Sequence, residues 1–412
     1  MAAEPFPREG LPLVQARQRV LAALTRLDGQ ERLPLANCLG RVSAEVCFAG
    51  EAVPGFRASI MDGYATADGM PPPQGARWRL VGRSAPGAPF PGVLADGEAI
   101  RVLTGAPLPD EAKRVLPQEL VQREGETLVL SGEAGPNPWI RAADEEAAPG
   151  QRLLEAGVRL GPAHLGRLAS CGVATLSVRP RPRVGLLISG DELVAAGEPR
   201  GPGTIWESNG TLLEALLVRL GHGVAERRVV ADEPAALAAA LDQLAECSDV
   251  VVSTGGVSAG DADWIRPLLC KQGTVDFWKL FLKPGRPFAF GQLGGKPFFG
   301  LPGNPVAAAI TALQLLWPAL ETLEGTEPVL LPRLLVRLET ALKRGPGRPE
   351  LARARLVVEA DGELLARVDG SQASSRIGSL QGADLLLEIP ADLGHLEAGT
   401  RLWAQLLRLP LL

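Results

Sequence analysis

From residue 183 to residue 305, short apolar runs alternate with segments whose apolar residues recur every three to four positions. This alternation constrains the fold more than anything else in the chain. The runs at 184–189, 224–230, 250–253, 275–282 and 298–301 read as strands, and the segments at 210–220, 234–245 and 264–271 as helices. Leu213, Leu217 and Leu220 share one helical face, and Gly221 stands where a left-handed C-terminal residue stops a helix. Asn304 followed by Pro305 has the form of a helix start. Strand and helix taking turns predict a doubly wound, mostly parallel sheet in an α/β domain at 181–327.

A chain of 412 residues has room for two to four domains, and the flanks of this unit follow other patterns. Ala16, Val20, Leu24 and Leu27 lie at helical spacing, and a connector with Pro54 and Gly55 follows. Residues 58–137 carry recurrent glycine and proline with short apolar runs, as in a small β-rich domain. Helical spacing returns around Leu165, Leu168 and Ala169. The economical reading is a multidomain α/β protein with a discontinuous central domain (11–57 and 138–180) and an inserted β-rich domain (58–137). Past residue 328 the helical spacing stops, and 334–338, 354–359, 363–368, 385–389 and 401–406 read as five short strands. Asp361-Gly362 marks a hairpin turn in this C-terminal β-barrel domain, 328–412.

Composition removes several function classes. The formal net charge of −5 argues against a nucleic-acid partner, which favours a basic surface. Cys38, Cys47, Cys171, Cys247 and Cys270 are scattered and odd in number, so they read as reduced thiols rather than a disulfide frame or zinc site. His164, His222 and His395 are equally dispersed, which leaves a His-based triad or metalloprotease site without support. No apolar signal region opens the chain and no uninterrupted apolar run is long enough for a bilayer; the expectation is a cytoplasmic protein with no membrane partner.

In an open α/β sheet, ligands bind beyond the carboxyl ends of the strands. The first predicted strand delivers Ser189-Gly190-Asp191-Glu192 to that edge, and the second Asp232. The third delivers Thr254 and the glycine loop with Gly255, Gly256, Ser258 and Gly260, ending at Asp263. Such a loop entering a helix suits phosphate held by backbone N–H groups, and equally suits an ordinary strand-to-helix turn. Lysine occurs only six times, yet Lys279 and Lys283 stand four apart in a predicted strand, which places them on one face beside Arg286. The last strand ends in Pro302-Gly303-Asn304. Glu192, Asp232 and Asp263 are hard oxygen ligands suited to Mg²⁺ beside a phosphate, while Asp232 and Asp263 also fit helix N-caps. Asp62, within residues 59–65 (SIMDGYA), adjoins the only tyrosine, Tyr64, far along the chain from these residues.

These motifs resemble the molybdopterin molybdenumtransferases, known as MoeA in bacteria and as the gephyrin E domain in animals. They occur in family order: SIMDGYA, 104–109 (TGAPLP), 189–193 (SGDEL), 253–263 (STGGVSAGDAD), 277–290 (FWKLFLKPGRPFAF) and 300–305 (GLPGNP), then Gly347-Arg348-Pro349-Glu350 with Arg353, and Gly370-Ser371-Gln372. The resemblance implies an elongated four-part subunit. It also implies a homodimer whose active site lies between the α/β domain of one copy and the inserted domain of the other. The family's functional acids fall on Asp62, Glu192, Asp232 and Asp263, and its lysines on Lys279 and Lys283. Thr104, Arg353 and Ser371 fall on positions linked to the site or to pterin binding. Where relatives carry Arg-Arg-Gly-Glu-Asp, this chain has Ala142-Ala143-Asp144-Glu145-Glu146, which removes the basic and glycine positions.

The implied reaction consumes molybdate and adenylated molybdopterin, supplied by an upstream molybdopterin adenylyltransferase, and yields molybdenum cofactor and AMP. Two other readings fit parts of the chain. One is an adenylyltransferase-like nucleotide-binding enzyme, which leaves residues 1–180 and 328–412 without a role. The other is a catalytically weak paralogue acting as a binding or scaffold protein.

Overall fold

The computed structural model describes residues 9–257, 264–328 and 330–408. Among the described residues the α/β unit runs β1 (Arg183–Ser189), α1 (Asn209–Arg219), β2 (Gly223–Val230), α2 (Pro234–Cys247), β3 (Val250–Thr254), α3 (Ile265–Gln272), β4 (Gly273–Trp278), β5 (Ala289–Leu293), β6 (Lys296–Leu301) and α4 (Pro305–Glu324). The sheet order is β2-β1-β3-β6-β5-β4, with β2, β1, β3 and β6 parallel and β5 antiparallel to both neighbours. Alternation across the pleat explains the continuous apolar runs, because both faces are covered. Leu186 and Ile188 join Leu213 and Leu217 of α1 on one side; Leu187 and Val251 join Leu237, Leu241 and Leu244 of α2 on the other. Each such side chain, fully buried, contributes about 1.5–3 kcal/mol.

One predicted strand needs correction. The run at 275–282 is not a single strand: β4 ends at Trp278, Lys279 takes a left-handed φ of 79°, and the chain returns as the antiparallel β5. The Lys279 and Leu280 N–H groups still bond back across to the Phe288 and Arg286 carbonyls, but Pro284 and Pro287 have no N–H with which to continue a ladder. Lys279 and Lys283 therefore do not share a strand face. Phe277 and Phe288 close the base of this segment, their rings stacked with centroids 5.8 Å apart.

Helix α4 is long and apolar enough to cross a membrane by length and composition, yet it is mostly buried within the protein. It is the central core helix. Residues Ala312–Leu316 form a π-helical turn before Pro318. Proline lacks the N–H that would bond the Gln314 carbonyl four residues earlier. Arg17, from helix Leu13–Ala22, supplies the missing donor: its Nε reaches the Gln314 carbonyl at 3.0 Å and its Nη2 the Gln314 Oε1 at 2.8 Å. Thus the N-terminal helix, with Ala16 and Val20 in the same core as β1, packs on the α/β unit.

The remaining parts are β-rich. Residues before and after the insertion pair as Glu31–Pro34 with Thr175–Val178, and as Cys47–Phe48 with Arg152–Leu154, around one core that includes Cys38, Leu160 and Leu168. Where the chain leaves and re-enters this unit, Ala58–Ser59 pairs with Ile140–Arg141. The insertion itself is a six-stranded sheet of described residues between Gly63 and Leu130. The described C-terminal residues close a five-stranded barrel through pairing of Arg333–Leu338 with Arg401–Leu406. Its second strand begins earlier than the spacing indicates, at Glu350.

Candidate active site

A cavity of about 1080 Å³ opens at the carboxyl ends of β1, β3 and β6. Ser189 and Glu192 enter it after β1, Asp232 after β2, Gly255 and Gly256 after β3, and Pro302 and Asn304 after β6. Both glycines have positive φ, and a Cβ on Gly255 would lie 2.5 Å from the Ser189 carbonyl oxygen, so no side chain fits. The Ser189 Oγ is buried beside them with no hydrogen-bond partner among the described residues. A buried hydroxyl left in this way is a donor available to a ligand.

The capping alternatives resolve in part. Helix α2 starts after Glu233 with no side-chain cap, and the Asp232 N–H is bonded by the Asp191 carboxylate at 2.9 Å. Asp232 is therefore not the N-cap. Asn304 does hold the cap position of α4, but its side chain makes no cap bond and lines the cavity.

Cations also line the cavity. Lys283 and Arg286 line the cavity from the segment after β4, and Arg348 joins them from the barrel domain. The Lys283 Nζ lies 3.0 Å from the buried Glu350 carboxylate, which also meets Arg344 Nε at 3.3 Å. Lys283 remains half-exposed despite this pair. The Arg348 guanidinium donates to the Leu282 carbonyl at 2.8 Å, and burial, then the neighbouring Arg286, pushes its pKa below the ordinary value. A bound anion would oppose both effects. Sequence reasoning missed Arg348, although it lies inside a quoted motif, because only folding brings the barrel against the α/β edge.

Other predicted residues fall elsewhere. Lys279 does not line the cavity; its N–H bonds the Phe288 carbonyl and its own carbonyl accepts the Leu11 N–H. Arg353 is buried, with Nε on Ser379 Oγ at 3.1 Å and Nη2 on the Ala373 carbonyl at 3.2 Å. It thereby holds the 372–377 segment, which supplies the barrel side of the cavity. Ser371 precedes that segment, and its Oγ accepts the Ala373 N–H. Ser258, Gly260 and Asp263 lie outside the described residues. Among the described residues, no group of three or more His, Cys, Asp or Glu side chains is placed to hold a metal.

Asn209 was also missed. Its amide donates to Thr254 Oγ1 at 2.8 Å and to the Gly303 carbonyl at 2.7 Å, while Thr254 Oγ1 donates to the Pro302 carbonyl. This buried network ties α1, β3 and β6 together at the cavity floor. The only sequence signal was an asparagine at a helix start, where capping is the ordinary explanation.

Asp62 and Thr104 lie in turns beside the strands Gly63–Thr66 and Glu98–Val102 of the inserted sheet and do not line this cavity within one chain. One Asp62 oxygen accepts both the Thr104 N–H, at 2.8 Å, and its hydroxyl, at 2.9 Å. These bonds, the backbone one first, hold the Asp62 carboxyl below the usual carboxylate range. Since the folded pKa is depressed, the associated stabilisation is present above the unfolded-state pKa and is lost as acidification passes through the folded value. Thr104→Val is expected to move Asp62 upward toward its ordinary value, measured by NMR pH titration of the carboxyl carbon. No upward movement would remove the hydroxyl from that role.

Comparison with known proteins accounts for nearly the whole chain. Residues 11–172 match the MoeA N-terminal region (domain I and II), 185–322 the probable molybdopterin binding domain, and 336–407 the MoeA C-terminal region (domain IV). The molybdopterin molybdenumtransferase of Haemophilus influenzae is 34% identical over 393 residues, covering 94% of this chain and 96% of that one. Molybdopterin molybdenumtransferase 2 of Mycobacterium tuberculosis is 32% identical over 399 residues, covering 94% and 98%. A crystal structure of a molybdopterin biosynthesis MoeA protein from Pyrococcus horikoshii has a TM-score of 0.81 at 25% identity, over 96% of this chain and 100% of that chain. With identity sustained from end to end and three family regions matched in order, the chain belongs to the molybdopterin molybdenumtransferase (MoeA) family.

Proposed function

We propose that the protein takes molybdate and adenylated molybdopterin and returns molybdenum cofactor and AMP. The observation that carries this reading is the cavity itself, whose lining brings cations of two domains together with two carboxylates and a glycine turn. Lys283, Arg286 and Arg348 bind the anionic oxygens of phosphate or molybdate. The Ser189 hydroxyl and the backbone around Gly255 and Gly256 hold further phosphate oxygens. Lys279 and Asp263 remain in the set through the family match alone. Arg353 acts by holding the 372–377 wall.

Glu192 and Asp232 are the hard oxygen donors that Mg²⁺ takes beside a phosphate, and they fit it as two carboxylates on the rim of an anion cavity. When bound there, the ion supplies charge neutralisation at the linkage that breaks. Catalysis is then mainly positioning and electrostatic stabilisation, with dithiolene sulfurs of the substrate, not protein cysteines, receiving the metal. We further propose a cytoplasmic homodimer in which Asp62 and Thr104 of one copy complete the cavity of the other, fed by molybdopterin adenylyltransferase.

The test is AMP release from adenylated molybdopterin by the purified protein, measured chromatographically with and without molybdate. Molybdate-dependent release is expected. ATP consumption in the absence of molybdate would instead support the adenylyltransferase reading, and no AMP release under either condition would overturn the proposal.

A further inference from the structure

One side chain on the cavity rim has no part in the reaction described above. Trp206 ends the short strand Ile205–Trp206, which runs parallel to Leu193–Val194. The Ile205 N–H bonds the Glu192 carbonyl at 2.8 Å, so this ribbon is tied directly to the backbone of a proposed Mg²⁺ ligand. Trp206 lines the cavity with 49% of its surface exposed. A large aromatic left in water is costly unless something covers it. Trp206 is nonetheless held firmly: its Nε1 donates to the Glu198 carbonyl at 3.0 Å, and the Arg200 guanidinium lies 4.0 Å from the ring centroid. Ile205, also on the cavity wall and half-exposed, extends the apolar surface.

We propose that Trp206, backed by Arg200, is the stacking platform for a planar nitrogen heterocycle of the substrate. The inference rests on the reaction proposed above, whose substrate carries two such rings, a pterin and an adenine. A ring fixed in orientation with a cation against one face stacks a flat heterocycle on the other with little loss of side-chain freedom of its own. The platform lies on a different chain segment from Lys283, Arg286 and Arg348, so ring and phosphate have separate anchors in one cavity. Trp206 and Arg200 are thus specificity-determining residues; neither is required to touch the reacting phosphorus.

The experiment is calorimetric titration of the full chain with AMP, with a free pterin and with inorganic phosphate, comparing wild type, Trp206→Ala and Trp206→Phe. Trp206→Ala is expected to weaken AMP or the pterin by about tenfold, and Trp206→Phe by less than about threefold, with phosphate affinity unchanged in both. The ring that weakens identifies the occupant. In turnover, KM should rise in Trp206→Ala with kcat nearly unchanged. Wild-type affinities for both heterocycles retained in Trp206→Ala, an equal loss for phosphate, or no binding of either ring by wild type would overturn the platform. Wild-type AMP release tests the underlying reaction separately: release that is normal while Trp206→Ala is silent removes the platform alone. Ring binding through Trp206 without any AMP release removes the reaction alone.

Discussion

Asp62→Ala is expected to lower AMP release by roughly a hundredfold, and mixing it with Asp232→Ala to restore about a quarter of wild-type activity. Asp62 directly precedes a strand of the inserted sheet and Asp232 follows β2, and Asp62 does not line the cavity that contains Asp232 within one chain. If the catalytic unit spans two copies, random reassortment makes about half the dimers mixed, and each mixed dimer has one intact site of two. The measurement is AMP release after the two variants are dissociated together and reassociated. Activity staying at the level of the separate variants would show that both residues act within one copy, and would end the shared-site reading. The same assay with Thr104→Val separates a loss of charge at Asp62 from a loss of its orientation, since the backbone bond from Thr104 persists in that variant.

The second large effect concerns stability. Arg159, in the central unit, places Nη2 2.9 Å from Glu321 and 2.8 Å from Glu324, both buried near the end of α4. Its Nη1 also donates to the Gly40 carbonyl at 2.8 Å. Burial alone drives the Glu321 carboxyl upward, but the contacts of His222 and Arg159 outweigh it and hold the pKa below its usual value. Arg159→Ala leaves two buried carboxylates without their main counter-charge and is expected to cost about 3–5 kcal/mol. The thermal midpoint should fall by roughly 10 °C. Because the Glu321 pKa is depressed in the folded protein, its contribution is lost on acidification, so the variant should also lose part of the acid sensitivity of wild type. A midpoint unchanged by more than about 1 °C would show that the cluster contributes little.

What was legible in the chain follows from which forces act locally. Strands β1, β3 and β6 were visible because burial on both faces leaves uninterrupted apolar runs, and the barrel strands because of their short alternation. The segment after β4 was misread: Phe281 and Leu282 continue the apolar run of β4, and nothing local announces a left-handed Lys279. Its true course depends on Leu11 taking the Lys279 carbonyl and on Pro349 accepting the Lys283 N–H, contacts remote in sequence. Likewise, Glu192, Asp232 and Asn304 were readable as residues following strands, whereas Arg348, Asn209 and Trp206 gain their places from another domain, a buried network and a short ribbon. Family motifs found Arg353 and Ser371, but the side chain of Arg353 acts on the 372–377 wall from behind.

Helix α4 begins at the cavity with Asn304 at its cap and ends at the carboxylates that clasp Arg159. Twenty helical residues span about 30 Å, so this one rod sets the distance between the anion-facing edge and the central unit that bears the inserted sheet. With Arg17 gripping its midpoint at Gln314 and Gln405 of the barrel bonded to the same side chain, it is braced along its length as well as at both ends. Any tilt of the rod would carry the central unit and its inserted sheet relative to the anion-facing edge, so the spacing of these parts is governed by a core helix rather than by surface loops.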